Sequence, residues 1–124
     1  MVTSRVERAP TLTERLPARL EATALMRQVE SAGGFAAILR RGDADSGALI
    51  LLIAERGAPC ALIERRMSAD FDYRWTVTLR ADDATPKKFR ESMDKSVSFD
   101  PDCWLIELDV ADAERFVAET IVSA

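Results

Sequence analysis

A chain of 124 residues, 48% hydrophobic and 31% charged, has the size and balance of one globular domain. Its net charge of −4 speaks against a dedicated nucleic-acid binder, and its lack of histidine removes the commonest general base and zinc ligand. No apolar run approaches the ~18 residues of a membrane span, and MVTSRVERAP lacks a signal-peptide core, so a cytoplasmic location is expected.

The charge is uneven. Residues 1–66 carry ten arginines against eight acids, whereas residues 67–124 carry seven basic residues against thirteen acids. Cys60 and Cys103 read as reduced, buried and inert thiols.

Residues 1–12 show no period and are expected to form a flexible tail, leaving 13–124 as a single α+β domain. A helix is predicted from Thr13–Ala18 onward. Ala22, Leu25, Met26, Val29 and Ala32 form its apolar face, and Gly33-Gly34 stops it. Phe35–Arg41 reads as the first strand, closed by the turn Gly42–Gly47. Ala48–Ala54 is apolar at every position, so both of its faces should be covered by the tail, a helix or another subunit. Glu55-Arg56-Gly57 turns the chain into a third strand, Cys60–Arg66. After a looser connection, Met67–Asp72, comes a fourth strand, Tyr73–Arg80, with Tyr73, Trp75, Val77 and Leu79 expected on one face.

Thr85-Pro86 supplies an N-cap and a first helical residue. Phe89, Met93 and Val97 follow at i, i+4 and i+8. Trp104, Ile106 and Leu108 alternate on a fifth strand. Asp109 or Asp112 then caps a last helix with Ala113, Phe116, Val117, Thr120 and Ile121 on its buried side. The order is α-β-β-β-β-α-β-α. It predicts a five-stranded, mainly antiparallel sheet with helices chiefly on one face. Short connections favour the strand order 5-1-2-3-4, with the fifth strand antiparallel to the first.

The turn Gly42–Gly47 is the most suggestive local feature. Asp43, Asp45 and Ser46 offer oxygens of the kind that bind Ca²⁺ or Mg²⁺. The same residues build hairpin turns for backbone reasons, which is the plainer reading. Arg40, Arg41 and Arg65 stand near that turn in the expected sheet, and an arginine cluster grips phosphate or carboxylate. Arg74 and Arg80 extend the same row, though solvated, locally paired arginines are the commoner case. Ser92 and Lys95 have S-x-x-K spacing without its companion motifs. The pairs Asp70/Asp72, Asp82/Asp83 and Asp100/Asp102 border elements, where aspartate serves as turn former or cap. Trp75 and Trp104 read as core residues.

Three segments together resemble a known family. They are Arg19–Ile53, with its Gly-Gly-Phe junction and Arg-Gly-Asp-Ala-Asp turn, Tyr73–Ala81, and Phe99–Phe116 with Asp100-Pro101-Asp102 and Trp104. The chain is similar there to the bacterial, mainly alphaproteobacterial, domain of unknown function 1491 family. That resemblance implies a small single-domain protein and no assigned activity, cofactor or catalytic residue.

The expected function is a non-catalytic protein-interaction or assembly module, acting as a homodimer or with another protein, without cofactor, metal or membrane. The alternative is an anion-, metal- or small-ligand-binding domain, and at most a minor enzyme. It would use Arg40, Arg41, Asp43, Asp45 and Arg65.

Overall fold

Helix α1 (Ala18–Ser31) starts after Pro17, whose fixed φ suits a helix entry and whose side chain offers no cap. In this computed structural model residues 16–67 and 73–122 are described. The expected tail, the helix onset at Thr13, the connection 68–72 and the Asp70/Asp72 pair lie outside them. Gly33 follows α1 with φ +87°, the left-handed conformation that ends the helix.

Five strands form one sheet: β1 (Phe35–Arg40), β2 (Leu49–Glu55), β3 (Ala58–Met67), β4 (Tyr73–Arg80) and β5 (Trp104–Asp109). Their order is β1-β5-β2-β3-β4, which corrects the expected 5-1-2-3-4. The antiparallel pairing of β5 with β1 holds, but β5 also runs parallel to β2 and separates the two. The reason lies in β2. Leu49 to Ala54 are all buried, and a strand so apolar is best placed between two neighbours. β5, itself largely apolar, takes that place, and β1 moves to the edge. The other three pairings are antiparallel, so the sheet is mixed but mainly antiparallel.

Both faces of β2 are covered. Leu49, Leu51 and Ile53 face one core, shared with Ala18, Ala22 and Val29 of α1 and with Ala113 of α3 (Ala113–Phe116). Ile50 and Leu52 face a second core with Leu62, Cys103 and Leu105. The cover there is α2 (Pro86–Phe99), through Phe89, Met93 and Val97 at the predicted spacing. Two helices thus share one face and the third takes the other. The Thr85 hydroxyl accepts the Lys88 N–H at 3.2 Å, as an N-cap should.

Strand β4 departs from its predicted alternation. The register shifts between Leu62 and Ile63, which pair with Leu79 and Val77. Thr78 is the extra residue, and its hydroxyl donates to the Leu62 carbonyl at 3.2 Å. Trp75 and Val77 therefore join the α1 side, while Leu79 joins Phe89 on the α2 side.

The β2–β3 turn is Arg56-Gly57, with φ of 53° and 81°, the pattern of a type I′ hairpin. Asp109 does not cap a helix. Its carboxylate accepts the N–H groups of Arg56 at 2.9 Å and Gly57 at 2.7 Å. Asp112 holds the N-cap position of α3 without a side-chain cap. Glu55 accepts the Ala113 N–H instead, at 3.2 Å. After Phe116 the chain continues in a wider π-type helix, Val117–Val122. The expected orientations of Thr120 and Ile121 lie outside the described side chains.

Candidate functional site

The Gly42–Gly47 turn packs onto the residues leading into β5. Asp43 N–H donates to the Asp102 carbonyl at 2.9 Å, and Trp104 N–H to the Ala48 carbonyl at 2.8 Å. Glycine is required at 42 and 47 for space, because a Cβ on either would run into the Asp102 carbonyl. Asp43 organises the interior of the turn. Its Oδ2 accepts from the Ser46 amide at 2.8 Å, the Ser46 hydroxyl at 2.9 Å and the Asp45 amide at 3.1 Å. These bonds, the Ser46 amide foremost, hold the carboxyl below the ordinary carboxylate range.

The backbone of the turn has further work. The Asp45 and Ala44 carbonyls accept the N–H groups of Ala18 at 3.1 Å and Arg19 at 2.9 Å. The turn thus satisfies helix donors that Pro17 leaves open. The Asp43 carbonyl accepts the Trp104 indole N–H at 2.7 Å. The Asp43 carboxylate and the Ser46 hydroxyl, anticipated for a cation, therefore serve the fold. Among the described residues no group of three or more carboxylates or thiols is placed to hold a metal.

A pH dependence follows from the depressed carboxyl. Ionised Asp43 stabilises the turn fully above the ordinary carboxylate range. That contribution is lost as pH falls through the lowered folded value. Urea midpoints followed from neutral to acid pH are expected to fall more steeply for the natural protein than for Asp43→Asn. Superimposable acid limbs would show that Asp43 is not a titrating prop.

The five residues expected around one ligand are distributed over four settings. Arg40 donates to the Pro101 carbonyl at 2.8 Å. Arg41 lies on the other side of the strand, 5.4 Å over the Trp104 ring. Asp43 and Asp45 form the turn. Arg65 sits on β3, three strands from Arg40 and so about 14 Å away across the sheet. Arg40 pairs with Leu105 toward α2 and Arg65 with Trp75 toward α1, so the two face opposite ways. Arg65 lies 4.2 Å over Trp75 and forms an ion pair with Glu21 of α1.

A groove of about 270 Å³ runs between α1 and β1. Arg19, Thr23, Arg27 and Glu30 of α1 line one wall, Ile38 and Arg41 the other, and Trp104 the floor. The pattern Arg19, Thr23, Arg27 at i, i+4, i+8 was available in the sequence. What sequence reasoning missed was that this polar flank would face Arg41. A second hollow of about 190 Å³ lies toward the other end of the α1 face, where Cys60 meets Glu55, Arg80 and Glu114. Cys60 is only half-buried, where a buried thiol was expected, because it packs at the margin of the core beside this hollow. Partial burial, then the charges of Glu55 and Asp109, still push its thiol up, away from the nucleophilic thiolate. Cys103 is buried beside α2, and burial likewise raises its thiol.

The remaining motifs have structural settings. Asp82 and Asp83 are exposed in a short 3₁₀ turn, Ala81–Asp83. The Asp100 carboxylate accepts the Asp102 N–H at 3.1 Å, closing the turn before β5. Ser92 and Lys95 lie on α2, the first half-buried and the second exposed.

Comparison with known proteins agrees with this architecture. A crystal structure of a DUF1491 family protein from Caulobacter crescentus superposes with a TM-score of 0.72 at 25% identity, covering 82% of this chain and 94% of that one. An NMR structure of a family protein from the same organism gives 0.69 at 26%, covering 79% and 88%. A solution structure of a protein from A. tumefaciens is similar in fold, with a TM-score of 0.67 at 23% identity and the same coverage. No curated protein matches the sequence significantly. The family model for proteins of unknown function, DUF1491, matches residues 16–118, and the chain belongs to that family.

Proposed function

We propose that this domain is a non-catalytic assembly module that pairs with a second copy of itself along the open edge of β1. The observation that carries the reading is the insertion of β5, which leaves β1 at the sheet edge. An edge strand presents unpaired backbone groups to any extended partner. No described residue pairs with its outer side. Phe35 and Leu39 on this strand are 63% and 47% exposed. The Arg40–Pro101 bond ties the end of α2 to the same region, and there Phe99 is 92% exposed. Exposed aromatics at an unpaired edge mark a contact surface better than scattered surface leucines do.

The strand suits its own copy. A two-fold axis at Ala37 brings β1 antiparallel to itself and sets Phe35 opposite Leu39 of the second copy. The small Ala37 side chains meet at the axis. The bulge between Ile38 and Arg40 ends the paired stretch. A cytoplasmic setting is part of this proposal. Its support is that Cys60 and Cys103 pack on opposite faces of the sheet, out of disulfide reach.

Sedimentation equilibrium at high micromolar concentration is expected to give a dimer. Phe35→Lys, which places a charge on the edge, should return a monomer with unchanged far-UV dichroism. A natural protein that stays monomeric overturns self-pairing. Capture of a different protein that Phe35→Lys abolishes would assign the edge to that partner instead.

A further inference from the structure

Helix α1 meets the sheet through two arginine–tryptophan stacks that differ in one respect. In the first, Arg65 lies over Trp75 and its guanidinium is gripped by both carboxylate oxygens of Glu21. In the second, Arg41 lies over Trp104 with no such carboxylate. Among the described residues the ion pairs are Arg65–Glu21 and Arg115–Glu119. Arg19 and Arg27 of the helix line the same groove as Arg41, so three arginines border one hollow whose lining includes one acidic residue, Glu30. Like charges gathered in this way repel one another unless an anion joins them.

We propose that this groove binds a small organic anion carrying two phosphate or carboxylate groups. Guanidinium forks hold either group through paired hydrogen bonds. Arg41 is already oriented by its stack on Trp104, whose indole N–H is fixed on the Asp43 carbonyl. Arg19 and Arg27 stand eight residues apart on α1, a rise of about 12 Å. Their long side chains can reach inward from those two positions, and two linked anionic groups on one molecule offer each guanidinium its own partner. The groove volume of about 270 Å³ fits a molecule of metabolite size rather than a folded partner. The ligand would do for Arg41 what Glu21 does for Arg65.

The two indoles make the test internal. In a ¹H–¹⁵N titration of the full chain with pyrophosphate and, separately, citrate, the Trp104 indole signal is expected to shift saturably. The Trp75 signal, whose arginine is already neutralised, should stay in place. Arg27→Gln keeps the helix and should weaken binding about tenfold through loss of a charge-assisted pair. Arg90→Gln removes the same charge from α2 on the opposite face and should change nothing. A preference for pyrophosphate would assign phosphates, and a preference for citrate carboxylates. The proposal is overturned if neither probe gives a saturable shift at millimolar concentration. It is equally overturned if both indoles move together, or if Arg27→Gln and Arg90→Gln weaken binding alike.

Discussion

Replacing Trp104 with alanine is expected to lower the unfolding free energy by about 3–5 kcal/mol, the range for deleting a large aromatic from a core. The residue joins three parts of the molecule. Its ring lies in the core shared by α1 and β2 and is 1% exposed. Its backbone N–H holds the start of β2, and its indole N–H holds the Asp43 carbonyl. Truncation opens a cavity beneath the groove and leaves that carbonyl with only its longer bond from the Gly47 N–H, at 3.3 Å. Trp104→Phe keeps most of the volume and loses only the N–H bond and part of the Arg41 stack, so about 1–2 kcal/mol is expected. Urea denaturation separates the two. A cost below about 1 kcal/mol for Trp104→Ala would contradict its role as an anchor.

Phe89→Ala is expected to cost a similar amount, about 3–5 kcal/mol, through a different consequence. Phe89 is the one fully buried residue of α2, while Met93 and Val97 only flank it. Removing the ring uncovers Ile50, Leu52 and Leu62 on the second face of the sheet. Amide exchange should therefore show α2 losing protection at a lower free energy than the strands. Equal losses in α2 and β2 would mean that the helix and sheet unfold only as one unit.

The elements were legible in the sequence because their signals are local. Thr85-Pro86, the Phe89–Met93–Val97 stack and the alternation of Trp104, Ile106 and Leu108 each depend on neighbours within a few positions. The apolar run of β2 announced that both of its faces were covered, and α2 proved to be the second cover. Strand order was not legible in the same way. Short connections favour adjacent pairing, yet the competition between β1 and β5 for β2 is decided by tertiary burial. The bulge at Thr78 was hidden for a similar reason, since Tyr73–Arg80 alternates cleanly and only the pairing with β3 reveals the extra residue.

The candidate site was legible in its parts. The Gly42–Gly47 turn stood out, and its aspartate closes it as turn chemistry predicts. Arg41 was singled out, but the row of sheet arginines dispersed once β5 separated β1 from β2. Arg19 and Arg27 lie off the apolar face of α1 and carried no signal of their own. Only the packing of α1 along β1 sets them against Arg41.

The place of β5 also fixes a timetable. β1 is made well before β5, its strand partner among the described residues, which follows more than sixty residues later. During synthesis at roughly 5–20 residues per second, β1 waits several seconds with both edges bare. β2, β3 and β4 can zip together in the meantime as a local meander. The gap beside β2 then admits one strand, and the last to arrive closes it. Such late, long-range closure slows folding relative to a simple meander. It also makes the newly made chain most prone to wrong strand partners just before β5 emerges.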